Sequence, residues 1–75
     1  MEVVITIDEV VEIHNNYING NIKDAIKGIK ECGPDMFWGA YRHYLHNTYV
    51  SIESRYSYFS ELVISYSIIN SGGNL

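Results

Sequence analysis

Nearly half of this 75-residue chain, from Asp35 to Asn70, contains no proline and only one glycine, Gly39. Apolar and aromatic side chains recur in this segment at spacings of three or four, which is the period of one helical face. The members of this face are Trp38, Tyr41, Leu45, Tyr49, Ile52, Tyr56, Phe59, Val63 and Tyr66. We therefore predict a long C-terminal helix that Asp35 caps and that continues to Asn70.

Two alternatives to one long helix remain open. Between Val50 and Ile68 the even positions are mostly apolar and the odd positions are mostly Ser, Glu or Arg, which is the alternation of a strand. A strand of that length would far exceed the usual range of roughly 3–10 residues, so the helix is favoured. The second alternative is a break near Asn47-Thr48, with a fourth helix that begins near Thr48 or Ser51.

Two shorter helices precede this segment. Residues 6–9, Thr-Ile-Asp-Glu, match a capping box, and Asn19-Gly20 predicts the end of the first helix. Asn21 is suited to cap the second helix, and Gly33-Pro34 is a strong stop after it. The apolar lead-in at residues 1–5 is compatible with one short strand.

These patterns predict a single all-α domain over residues 1–70 and a flexible tail over residues 71–75. The domain is a small bundle of three helices, or of four if the long helix breaks near Asn47-Thr48. A domain this small is marginally stable by itself, and the long helix would extend beyond the two short ones. We therefore expect a homodimer, in which a second copy covers the remainder of the long apolar face.

Charge and cysteine content narrow the possible environment and partners. The net charge of −4 disfavours direct binding to nucleic-acid phosphates or to anionic membrane surfaces. No apolar run is long enough for a transmembrane helix, and the acidic start does not fit a signal peptide. The lone cysteine, Cys32, fits a reducing compartment, and we expect a cytoplasmic protein.

Residues able to carry chemistry are few. His43 and His46 are one helical turn apart but lack a third metal ligand, and His14 lies within an apolar stripe. Cys32 is expected near a helix C-terminus, where the dipole disfavours a thiolate. No nucleophile elbow, phosphate-binding loop or dinucleotide fingerprint occurs. We expect no cofactor, no metal and no enzymatic activity.

A non-enzymatic role in protein–protein interaction is the function that the sequence favours. The aromatic face is wide enough to contact a partner as well as the core, and aromatic side chains are frequent anchors of interfaces. The expected partner-binding residues are Trp38, Tyr44, Tyr58, Phe59 and Leu62. Val50, Ile64 and Ile68 point away from that face, and so many apolar residues there also indicate an interface.

An acidic decoy is the alternative function. Such a protein would place Asp8, Glu9 and Glu12 in the basic nucleic-acid groove of a host enzyme. In size and composition the chain resembles the small acidic accessory proteins that phages and other mobile elements encode. That resemblance implies an inhibitor or an adaptor.

Overall fold

The computed structural model describes residues 5–72, and this part of the chain is all-helical. Its four helices are α1 (Ile7–Ile18), α2 (Ile22–Cys32), α3 (Pro34–Thr48) and α4 (Ile52–Asn70). Within residues 5–72 there is no strand. Of the strand considered at residues 1–5, only Ile5 falls within the described residues, and it is not in a strand. Most of the expected tail also lies outside them, since only Ser71 and Gly72 are described.

Helix α1 begins at the predicted capping box, and the predicted Asn19-Gly20 turn separates it from α2. The Glu9 amide donates to Thr6 Oγ1 at 3.2 Å, and the Thr6 amide donates to Glu9 Oε1 at 3.2 Å, which completes the capping box. Gly20 has a φ of 87°, a conformation that glycine adopts without strain, and α2 follows directly. The two helices then approach closely, because a Cβ on Gly28 would lie 2.8 Å from Cγ1 of Ile13.

The prediction of one helix from Asp35 to Asn70 is wrong. The third helix begins at Pro34 rather than at an Asp35 cap, since Gly33 is the N-cap, with a φ of 98°. It ends at Thr48, and α4 begins three residues later, at Ile52. The break therefore lies next to the site considered in the four-helix alternative.

Side chains stabilise this break in the absence of glycine or proline. Tyr49 is extended, with φ −113° and ψ 129°, and its hydroxyl bonds His14 Nε2 at 2.8 Å. Ser51 caps α4 by accepting from the Ser54 amide at 3.3 Å. Arg55 Nη2 donates to the Val50 carbonyl at 2.8 Å, which ties the connection to α4.

One apolar core joins the four helices. Its buried members are Val10, Ile13, Ala25, Ile26, Ile29, Phe37, Tyr41, Leu45 and Leu62. The break changes which side of α4 faces this core. Ile52 and Tyr56, which a continuous helix would place on the predicted face, are each 74% exposed, whereas Leu62 is fully buried.

Within residues 5–72, no helix is both long enough and apolar enough to cross a membrane.

Candidate interaction surface

The predicted partner-binding residues lie mostly inside the molecule. Trp38 packs edge-on against Phe59, with ring centroids 5.7 Å apart, and both are half-buried against the core. Tyr44 and Tyr58 are also half-buried, and Leu62 is completely buried. The structure therefore places these five side chains in or against the core, and among them it pairs Trp38 with Phe59.

A buried histidine, His14, contacts two of these side chains, Tyr44 and Tyr58. His14 is 1% exposed, and its ring lies within 5.3–5.7 Å, centroid to centroid, of four tyrosine rings. The rings belong to Tyr41, Tyr44, Tyr49 and Tyr58. Nδ1 bonds the Tyr41 hydroxyl at 2.8 Å, and Nε2 bonds that of Tyr49 at 2.8 Å.

Burial lowers the pKa of His14, so the imidazole is neutral at neutral pH. A neutral ring has one donor and one acceptor nitrogen, so one tyrosine hydroxyl accepts and the other donates. Burial raises the pKa of Tyr41, so its hydroxyl also stays neutral. The arrangement is a satisfied polar contact that holds α1, α3 and the α3–α4 connection together.

The outer side of α4 carries an exposed apolar ridge. Positions 52, 56, 60, 64 and 68 are four residues apart and form a row about 24 Å long at 1.5 Å per residue, which winds by about 40° per step around the outer side of the helix. The row consists of the apolar Ile52, Tyr56, Ile64 and Ile68 and the polar, half-buried Ser60, and we call it the α4 ridge. Ile64 is 57% exposed and Ile68 37% exposed. Val50, just before the helix, is 95% exposed.

A cationic cleft lies beside the N-terminal end of the α4 ridge. It has a volume of about 460 Å³ and lies between α3 and α4. Its lining residues are Arg42, Leu45, His46, Ile52, Arg55, Tyr56 and Phe59. Arg55 Nη1 donates to His46 Nδ1 at 2.7 Å, while its buried Nε has no hydrogen-bond partner within residues 5–72. The cleft thus combines an apolar floor with two arginines.

The predicted acidic surface forms a separate feature on α1 and α2. Asp8 and Glu12 are exposed, whereas Glu9 is occupied by the capping box and by the Cys32 thiol, which donates to its Oε2 at 3.0 Å. A groove of about 640 Å³ between the two helices is lined by several carboxylates. They belong to Glu9, Glu12, Asp24 and Glu31.

The candidate nucleophile and metal ligands are engaged in other contacts. Burial and the Glu9 carboxylate raise the pKa of Cys32 to about 11, so the thiol stays protonated and is a poor nucleophile. His46 accepts a hydrogen bond from Arg55, and His43 is exposed. In the part of the chain that the structure describes, no three His, Cys, Asp or Glu side chains are arranged to hold a metal ion.

The apolar stripe on α1 indicated a buried, hydrogen-bonded His14, but sequence reasoning missed its tyrosine partners and the cleft. Both depend on contacts between residues far apart in the chain, so no local pattern indicated them. The α4 ridge had a visible signal, because Ile64 and Ile68 stood out from the predicted face at a spacing of four.

Comparisons with protein-family models, with curated proteins and with solved structures found no match to this chain.

Proposed function

We propose that this chain is a non-enzymatic protein-interaction module, acting as an adaptor or an inhibitor, and that the α4 ridge is its contact surface. The exposure of this ridge is the observation that carries the proposal. Isolated exposed apolar side chains are ordinary on protein surfaces. A row of them along one helix, rimmed by serines and glutamates, is typical of a docking surface.

The non-enzymatic part of the proposal is supported by the state of the reactive groups. His14 is neutral, buried and bonded through both nitrogens, so it has no lone pair or proton free for a substrate. Cys32 is held as a thiol beside Glu9. Its unpaired state in a chain with one cysteine also supports a reducing, cytoplasmic location as part of the proposal.

The proposed contact surface differs from the residues expected from sequence. Leu62 is buried within the chain, and Trp38, Tyr44 and Tyr58 pack against the core. Phe59 lines the cationic cleft and therefore borders the proposed surface. The homodimer remains part of the proposal, with the α4 ridge in place of the long continuous face.

Affinity capture with three versions of the protein tests the interaction role. Ile64→Asp places a carboxylate in the middle of the α4 ridge, where a docked partner would bury it unpaired. Ile7→Asp is the matched control, because Ile7 is 58% exposed on α1, away from the ridge. Partners held by the wild type and by Ile7→Asp, and lost with Ile64→Asp, are the expected result. If Ile64→Asp holds the same partners as the wild type, the ridge is not the contact surface.

The acidic decoy is a second candidate, favoured by the carboxylates that line the α1–α2 groove. A decoy binds through charge, so its affinity falls steeply as salt is raised from about 0.05 to about 0.5 M. Binding through the α4 ridge changes little over the same range, because apolar contact is not screened. Glu12→Gln provides the variant for comparison, since it weakens a decoy and leaves the ridge unchanged.

A further inference from the structure

We propose that the cationic cleft between α3 and α4 binds a small organic oxyanion, meaning a carboxylate or a phosphate monoester carried on an aromatic or aliphatic body. This site goes beyond the interaction role proposed above and does not depend on it, because a ligand held between α3 and α4 needs no protein partner. Three features of the cleft point to such a ligand: its arginines, the donor character of its nitrogen groups and its apolar floor.

Both arginines of the chain line this one cleft, Arg42 from α3 and Arg55 from α4. The three lysines all lie on α2, so the cleft collects every guanidinium group of the protein. The chain carries nine acidic and five basic residues, yet none of the seven lining residues, all within residues 5–72, is Asp or Glu. The cleft is therefore a local region of positive charge on an acidic protein, where an anion is favoured.

Hydrogen bonds inside the chain hold Arg55 without neutralising it. Nη1 donates to His46 Nδ1 at 2.7 Å and Nη2 donates to the Val50 carbonyl at 2.8 Å, and both acceptors are uncharged. Each of these two nitrogens carries a second N–H group. The buried Nε atom takes no part in the proposed contact. These partners fix the guanidinium at the cleft and leave its charge uncompensated, which preorganises it for a carboxylate or a phosphate.

The contact with Arg55 also fixes the proton of His46. An arginine can only donate, so Nδ1 of His46 is the accepting nitrogen and the imidazole proton lies on Nε2. Arg42, one helical turn before His46, likewise carries donors only. The nitrogen side chains that line the cleft therefore have N–H donors and no free acceptor. A ligand that satisfies them must supply acceptors, which selects an oxyanion over a cation.

The floor of the cleft favours a ligand larger than a simple ion. Leu45, Ile52, Tyr56 and Phe59 line it, and Ile52 and Tyr56 are each 74% exposed. The volume of about 460 Å³ lies within the range of about 300–1,000 Å³ that is usual for small-molecule sites. A hydrocarbon body would remove this apolar surface from water, whereas inorganic phosphate or acetate would not. The cleft therefore suits an anion with its charge at the arginines and its body against the two aromatic rings.

Four probes separate the contribution of charge from that of the apolar body. Phenylacetate and phenyl phosphate have both, phenylacetamide has the body without the charge, and acetate has the charge without the body. Amide NMR of the full chain, titrated at constant pH and ionic strength, measures their binding. Both aromatic anions are expected to shift the amides of residues 42–46 and 52–59, with dissociation constants of about 1 mM. Phenylacetamide and acetate are expected to bind about tenfold more weakly or less.

Each other outcome of this titration overturns part of the proposal. No shift at residues 42–46 and 52–59 with either aromatic anion, at up to about 10 mM, overturns the site. Phenylacetamide that binds as tightly as phenylacetate excludes the arginines as the binding groups. Acetate that binds as tightly as phenylacetate excludes the apolar floor. The ratio of the affinities for phenylacetate and phenyl phosphate distinguishes a carboxylate site from a phosphate site.

Two glutamine variants with the same loss of charge locate the site. Arg42→Gln removes an exposed guanidinium from the cleft, whereas Lys27→Gln removes an exposed charge from the α1–α2 groove. Arg42→Gln is expected to weaken phenylacetate binding about fivefold or more, with unchanged amide shifts on α1 and α2, and Lys27→Gln to leave the affinity within about twofold. Equal affinities in the two variants would overturn the site. Partner capture with Ile64→Asp is a separate measurement, so the cleft and the interaction role can fail independently.

Discussion

Helices α2 and α4 use their apolar residues in opposite ways. In α2, Ala25, Ile26 and Ile29 are buried on one side, and the lysines occupy the other. In α4, only Leu62 is fully buried, while Ile52, Tyr56 and Ile64 are mostly exposed. The apolar surface of α2 is used within its own chain. That of α4 is left partly uncovered by residues 5–72, and this exposed apolar surface is the physical basis of the proposed interface.

The largest expected effect is a difference in stability between the two helices. Ile29→Ala removes a fully buried side chain from α2 and is expected to cost about 2–5 kcal/mol of unfolding free energy. Ile64→Ala removes an exposed side chain and is expected to change that free energy by less than about 0.5 kcal/mol in the monomer. Urea denaturation at low micromolar concentration measures both. Equal losses would show that the two sites are equally buried.

Removing the hydroxyl of a buried tyrosine contact and that of an exposed tyrosine is expected to have unequal effects on stability. Tyr49→Phe leaves His14 Nε2 without its partner in a buried site, which is expected to cost about 1–3 kcal/mol. Tyr56→Phe alters a side chain that is 74% exposed and is expected to be neutral in the monomer. The same denaturation measurement applies, and a neutral Tyr49→Phe would contradict the proposed role of the His14 contacts in fixing the helix break.

Alanine substitution at two helical glycines is expected to change the free energy of unfolding in opposite directions. Gly39→Ala, with no atom within 4 Å of the new Cβ, is expected to stabilise α3 by about 0.5–1 kcal/mol. Gly28→Ala places a Cβ 2.8 Å from Ile13 Cγ1, and the forced shift is expected to outweigh the gain in helix propensity, giving a net loss of about 1 kcal/mol. Thermal unfolding of the two variants checks the signs. A stabilised Gly28→Ala would mean that α1 and α2 are less closely packed.

The smallest expected effect is a gradual fall in the free energy of unfolding as the pH drops below neutrality. The pKa of His14 is below its ordinary value of 6.5 in the folded state because of burial, so the unfolded chain binds the proton more readily. The free energy of unfolding is therefore at its full value above pH 6.5 and falls as the pH drops below 6.5. The groups facing His14 are tyrosine hydroxyls, which do not titrate in this range.

His14→Gln and His43→Gln provide the matched pair for this prediction, since His43 is exposed. Denaturation midpoints measured at about pH 7 and about pH 5 should differ more in the wild type and in His43→Gln than in His14→Gln. The same pH dependence in all three proteins would exclude His14 as its origin.

Local signals allowed the helical class and most helix ends to be predicted. Thr6 and Glu9 lie three residues apart in the chain, and Gly20 provides the turn after α1, so short sequence patterns were sufficient. The end of α3 at Thr48 was predicted only as an alternative, because its local signal is weak. It depends on Tyr49 reaching His14, 35 residues earlier in the chain.

The preference for one continuous helix also explains the misplaced contact residues. A continuous helix puts Ile52 and Tyr56 on the same face as Trp38, whereas the extended Tyr49 resets the direction of α4 and turns Leu62 inward. The α4 ridge was predictable only in part, because a spacing of four identifies a row on a helix without showing whether that row faces the core or the solvent.

Dilution of isotope-labelled protein, followed by amide NMR, tests most directly whether the exposed apolar surface of α4 is an interface. Between about 1 mM and about 10 µM, the amide shifts at the α4 ridge are predicted to change as the proposed homodimer dissociates. Those of α2, whose apolar side is already covered, are predicted to stay constant. Shifts that stay constant throughout the chain, or that change on α2 and not on α4, would contradict the account.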